Sequence, residues 1–328
     1  MRLPDWAASL GRVPVVPLMG YPGVRLNGFS VREALSDAAA HVSTIEALAE
    51  KFMPDAVFAL MDLTVEAEAA GIPVTMPEDG PPSTSLHPIK SIASFSSLKR
   101  PDPSRDGRMP SFTAAVSMLK ARLDIPVGAY VIGPFTLAGE LAGAEHLATS
   151  TIRDRAFVEG LLSFTTVVIK DYAYALCEAG ADLVIILEPT PVILSPASFE
   201  RYSFPYICEI AELIRRGGAS PILHICGEST HLIPEMIRTG VEGLSLDSPI
   251  DMAAVAEAVP PDLFLIGNIA PVEVMLEKGP EAVRAGVDAL RSAMGCWDNF
   301  IFSSGCDLPL DTPFENIEAL VEGGSGTS

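Results

Sequence analysis

The sequence predicts a closed (β/α)8 barrel, a TIM barrel, formed as a single domain over residues 1–322 with a flexible tail at 323–328. Three observations predict it. Apolar runs of strand length alternate with longer amphipathic stretches through most of the chain, the order of an α/β fold. Several of those runs are continuously apolar and β-branched, as parallel strands covered on both faces are. With 328 residues, 48% of them hydrophobic, the chain has the length and apolar content of one barrel-sized core.

The elements follow in order. The first clear strand is 56–61, and the others are 127–132, 183–187, 222–226, 243–246, 263–266 and 300–303. These make seven, and an eighth is expected near 15–18 or 74–76. Between them, 153–179 is long and amphipathic, 204–216 is shorter, and 281–293 follows Pro280, a first-turn proline. The stretch 77–108 is rich in Pro, Ser and Asp and reads as a long loop over one barrel mouth.

Bulk properties exclude several functions. Asp and Glu number 42 against 22 Lys and Arg, a net charge of −20. Such a chain repels a phosphate backbone, so neither nucleic acid nor an anionic membrane surface is an expected partner. No 18-residue uncharged apolar run or signal segment is evident, and a cytoplasmic location is expected. The five cysteines do not form a disulfide framework in a chain of this size. Cys177 and Cys208 sit in helical patterns among apolar neighbours, and Cys296 sits at a helix exit; all three read as structural.

In a barrel of this kind the chemistry lies at the carboxyl ends of the strands. The residues just after each run are Asp62, Gly133, Glu188, His224 with Cys226, Asp247, Asn268, and Gly305-Cys306-Asp307. His224 and Cys226 are two apart on a strand, so their side chains share a face and could bind one ion. Zinc favours imidazole nitrogen and thiolate sulfur, and Cys306 at the last strand end is the best third ligand. A buried histidine beside an inert cysteine satisfies the same spacing. Among carboxylates, Asp62 could act as a base or a substrate acceptor, or cap the helix that follows it. Glu188 could complete the metal set, and Asp247 could orient His224 through its second ring nitrogen.

Five ordered stretches then resemble the uroporphyrinogen decarboxylase superfamily: "FALMDLTVEAEAAG", "VIGPFTLAGELAG", "EPTPVILSPASFERYSFPY", "LIGNIAPVEVM" and "SSGCDLPLDTPFENI". The resemblance implies the same barrel fold. It also separates two chemistries. The decarboxylases carry an amino-terminal Arg-Gln-Ala-Gly-Arg motif and a Gly-His-Gly-like closing motif. This chain has "VVPLMGYPGVRLNG", with Arg25 the one arginine able to stand in, and Gly305-Cys306-Asp307. The zinc-dependent corrinoid methyltransferase branch carries His-x-Cys and a cysteine in the closing motif, matched by His224, Cys226 and Cys306. The resemblance therefore implies Zn2+ on those three residues and a corrinoid on a partner carrier protein. It also implies a small-molecule methyl acceptor or donor. By the same resemblance Asp62 and Asn268 line the mouth and contact substrate or corrinoid, whereas Glu188 as a catalytic candidate and Asp247 as a site candidate rest on strand-end position alone, and Arg25 is the arginine that would answer a sulfonate-bearing acceptor. A metal-free decarboxylase, and a methyltransferase drawing on a methoxylated or methylated donor, remain the alternatives.

Overall fold

The computed structural model describes residues 1–95 and 98–326. Its centre is a seven-stranded parallel sheet: β1 Val57–Phe58, β2 Val127–Ile132, β3 Leu183–Leu187, β4 Ser220–Ile225, β5 Gly243–Leu246, β6 Phe264–Ile269 and β7 Phe300–Ser304. Sheet order equals chain order, with every neighbouring pair parallel. Helices Ala38–Phe52, Met109–Arg122, Arg155–Glu178, Phe204–Arg216, Pro280–Met294 and Phe314–Ser325 are among the longer helices of the chain.

The closed eight-stranded barrel does not form. The sheet curls but stays open, a half-barrel whose edges β1 and β7 lie 11 Å apart. The expected eighth strand is the reason. At 15–18 the chain makes a single isolated bridge, Val15 to Phe302, with the Val16 amide donating to the Phe302 carbonyl at 2.8 Å. On its other side the Asp55 amide donates to the Val15 carbonyl at 3.0 Å. Pro14 and Pro17 flank these contacts and lack the N–H groups a ladder needs, so no strand propagates. The other candidate, Val74–Thr75, pairs antiparallel with Ser83–Thr84 in a separate two-stranded sheet.

Boundaries shift elsewhere too. β1 is two residues long rather than six, and β6 runs on to Ile269. The loop expected at 77–108 carries the Ser83–Thr84 strand and the helix Ile92–Phe95, and its Ser96 and Ser97 lie outside the described residues. The final helix continues to Ser325, three residues into the expected tail, because Gly324 packs against Val15 and Phe302. Thr327 and Ser328 also lie outside the described residues.

Alternation along the strands builds two cores. The larger lies between sheet and helices. The smaller fills the inside of the curl with Val16, Phe58, Tyr130, Ile185, Ile222, Ile266 and Ile301. Helix Leu3–Ser9 joins this inner core through Leu3 and Ala7, with Trp6 packed against them. Among the described residues, no helix is long and apolar enough to cross a membrane.

Candidate metal centre

The inner face of β4 carries Ile222, then His224 one step toward the carboxyl end. Cys226 follows as the chain leaves the strand, and Cys306 follows β7. One ligand atom from each of His224, Cys226 and Cys306 lies within 4.8 Å of the others. The His224 Nε2 is 2.9 Å from the Cys226 sulfur, which is 3.7 Å from the Cys306 sulfur.

The histidine is oriented by its neighbouring strand. Register pairs His224 with Ser245, and Nδ1 lies 3.1 Å from the Ser245 carbonyl and 3.0 Å from its hydroxyl. A carbonyl only accepts, so Nδ1 donates and Nε2 turns its lone pair to the sulfurs. Asp247, expected to do this, is used otherwise. Its carboxylate accepts from the Gly227 amide at 2.8 Å and the Ser248 amide at 2.7 Å, tying the loops after β4 and β5. Asn268 supports the same loop by donating to the carbonyls of Asp247 at 3.0 Å and Ile250 at 2.8 Å. Gly305 allows the close approach that delivers Cys306: a Cβ there would meet the Ser248 nitrogen at 2.7 Å.

The electrostatics suit a cation. Contact with Cys226, then burial, holds the Cys306 thiol well above the usual thiol range. Burial alone would lower the His224 imidazole, but Cys306, Asp247 and the Ser245 carbonyl outweigh it and raise it. A dication bound between the two adjacent, half-buried sulfurs would replace thiol protons. An imidazole nitrogen and two sulfurs form a donor set of zinc type.

The remaining candidates hold other contacts, although the Glu188 amide donates to the His224 carbonyl at 2.8 Å. Glu188 is fully buried and accepts from the Phe135 and Thr136 amides, both at 2.9 Å, and from the Ser203 hydroxyl at 3.0 Å. It anchors the first turn of helix Pro134–Ala142, and Gly133 is the residue that leaves it room. Burial raises its carboxyl, against the pull of those donors. Asp62 accepts from the Thr64 amide and hydroxyl, both at 2.7 Å, and is ion-paired with Arg108, which also reaches Glu68 at 2.7 Å. Arg25 is exposed; it donates to the carbonyls of Leu310 at 3.0 Å and Thr312 at 2.9 Å and stacks 4.4 Å from the Phe314 ring centre. Cys177 is buried in the outer core, while Cys208 is half-buried and Cys296 is exposed.

Ser245 and Arg108 were missed by sequence reasoning, and Asp307 was placed at a strand end without a role. Ser245 required the strand register. Arg108 lay inside what read as a loop. Asp307 carried the one available signal, its place directly after Cys306. Its carboxyl accepts from the Gly20 amide at 3.3 Å through Oδ1, while the buried Oδ2 has no partner. Burial lifts it to about 7.

The profile of the uroporphyrinogen decarboxylase (URO-D) family matches residues 8–324, nearly the whole chain. The chain belongs to the uroporphyrinogen decarboxylase family. Among family relatives, methylcobamide:CoM methyltransferase MtbA of Methanosarcina acetivorans is 29% identical over 296 residues, 88% of this chain and 85% of that one. The Methanosarcina mazei protein of the same name is 30% identical over 275 residues, 82% and 78% of the two chains. A uroporphyrinogen decarboxylase of Anaeromyxobacter dehalogenans is 29% identical over 289 residues, 83% and 81% of the two. In structure, a methyltransferase from Methanosarcina mazei superposes with a TM-score of 0.88 at 26% identity, over 96% of this chain and 94% of that one. Within the family, the chain resembles the methylcobamide:CoM methyltransferases in sequence and in fold.

Proposed function

We propose that the protein is a zinc-dependent methyltransferase of the cytoplasm, moving a methyl group between a corrinoid on a carrier protein and a small thiol. One observation carries the reading: His224, Cys226 and Cys306 converge at the carboxyl end of the sheet. Identity to relatives does not by itself choose the branch, since one methylcobamide:CoM methyltransferase and one decarboxylase match at 29% alike.

His224 Nε2 and the sulfurs of Cys226 and Cys306 would hold the metal. When bound, Zn2+ acts as a Lewis acid that keeps a substrate sulfur as its nucleophilic thiolate near neutral pH. Ser245 fixes the imidazole tautomer, and Asp247 and Asn268 hold the loops in register. The inner apolar layer around Ile222 excludes water from beneath the site. The open curl leaves the carboxyl end accessible to a corrinoid carried by another protein. Asp62 and Glu188 then act as positioning residues, because hydrogen bonds and an ion pair already occupy their oxygens.

The same commitments count against decarboxylation of a polycarboxylate. That chemistry needs free cations at the mouth, and Arg25 and Arg108 are engaged. The test is methyl transfer from methylcobalamin to a thiol, with carbon dioxide release from a porphyrinogen measured in parallel. Methyl transfer that stops on chelation is expected. Chelator-insensitive carbon dioxide release without methyl transfer would overturn the reading.

A further inference from the structure

The Cys226 and Cys306 sulfurs lie 3.7 Å apart. A disulfide holds its sulfurs about 2.0 Å apart, so closure needs a further approach of roughly 1.7 Å. The chain is placed to allow it. β4 ends at Ile225 and β7 at Ser304, so both cysteines stand on segments that have left the sheet. Each adjoins a glycine: Gly227, with φ +74°, follows Cys226, and Gly305 precedes Cys306. Both cysteines are half-buried, which keeps bulk protein away but admits a small oxidant. The other cysteines share none of this. Cys177 is buried on helix Arg155–Glu178, Cys208 lies within helix Phe204–Arg216, and Cys296 is exposed past helix Pro280–Met294.

We propose that Cys226 and Cys306 are a redox-sensitive pair: a peroxide converts them to a disulfide, which removes both sulfurs from the metal-binding set. One thiol takes an oxygen from the peroxide, giving a sulfenic acid and a first water. The second thiol attacks that sulfur. The S–S bond forms as the S–O bond breaks, and the hydroxyl leaves with the second thiol's proton as a second water. Two thiols lose two electrons and two protons, and one peroxide becomes two waters. From a metal-bound pair of thiolates the balance is the same, with the two protons drawn from solvent and the dication released. His224 is then the one remaining member of the set, too few for a zinc site. The release of metal rests on the metal-centre reading above; the disulfide itself does not.

The test treats folded protein with hydrogen peroxide, once metal-free and once loaded with zinc. Cys296→Ala is the background, because it removes the exposed thiol. In the metal-free sample, loss of two free thiols and of the mass of two hydrogens is expected, with a proteolytic peptide joining Cys226 to Cys306. In the loaded sample, zinc should appear free in solution, read with a chromogenic chelator, as the linked peptide accumulates. Dithiothreitol should restore both thiols and zinc binding. Cys226→Ser and Cys306→Ser should each abolish the linked peptide, so either serves if the other folds poorly. Oxidation that stops at sulfenic or sulfinic acid with no linked peptide overturns the proposal, as does a linked protein that keeps its zinc. Reduced protein that binds no zinc, yet forms the linked pair, would instead overturn the metal reading and leave the oxidation established.

Discussion

The two ends of the sheet's interior carry opposite chemistry on one alternating pattern. At the amino end, Ile222, Ile266, Ile301 and Phe58 meet Leu3 and Ala7 of the first helix in a dry apolar layer. At the carboxyl end, the same inward-facing positions bring His224 and Ser245 together, with Asn268 one strand further on. Moving two residues along β4, from Ile222 to His224, crosses from packing to a metal-binding set. The comparison teaches that stability and chemistry are separable here by layer, so substitutions in one layer should leave the other's readout largely intact.

The largest test of that separation is Ile222→Ala. The side chain is about 1% exposed in the inner core. Its truncation should cost about 2–5 kcal/mol in a denaturant titration while metal stoichiometry per folded chain is retained. Equal loss of both would show that the layers are coupled. Ser245→Ala acts on the opposite layer. It removes one partner of His224 Nδ1 and should weaken zinc binding roughly 10- to 100-fold in a competition assay, with little change in unfolding midpoint.

The smallest effect concerns Glu66, which lies outside both layers. It is about 1% exposed, and its Oε1 accepts from the Ile132 amide at 2.8 Å. Burial pushes its carboxyl from 4.5 up to about 8. The folded chain thus binds a proton that the unfolded chain releases, so this contribution is fully present below pH 4.5 and lost as pH rises to about 8. Glu66→Gln should gain on the wild type steadily across that window, read from unfolding midpoints at a series of pH values. Parallel curves would contradict the assignment.

What the sequence made legible follows the same division. Continuous apolar runs located the seven strands of the parallel sheet, because a parallel strand buried on both faces tolerates few polar residues. The i, i+2 spacing of His224 and Cys226 placed two ligands on one face, and strand-end logic added Cys306. Closure was not legible, since it depends on whether Pro14 and Pro17 leave enough donors to pair the two edges. Nor was the partner of His224, because Ser245 and Asp247 are equally near in sequence and only the register of β4 against β5 separates them. Glu188 and Arg25 misled for a related reason. Each stands where a strand end or an arginine motif suggests ligand contact, but backbone groups brought in from distant parts of the chain occupy them.

The central claim is that His224, Cys226 and Cys306 form one catalytic metal centre. Its most direct measurement is the metal content of wild-type protein and Cys306→Ala, taken on the same preparations used for methyl transfer from methylcobalamin. The account expects about one zinc per wild-type chain, as a single three-ligand site holds, and loss of both zinc and transfer in the variant. Full methyl transfer by protein stripped of metal, or by Cys306→Ala, would contradict it.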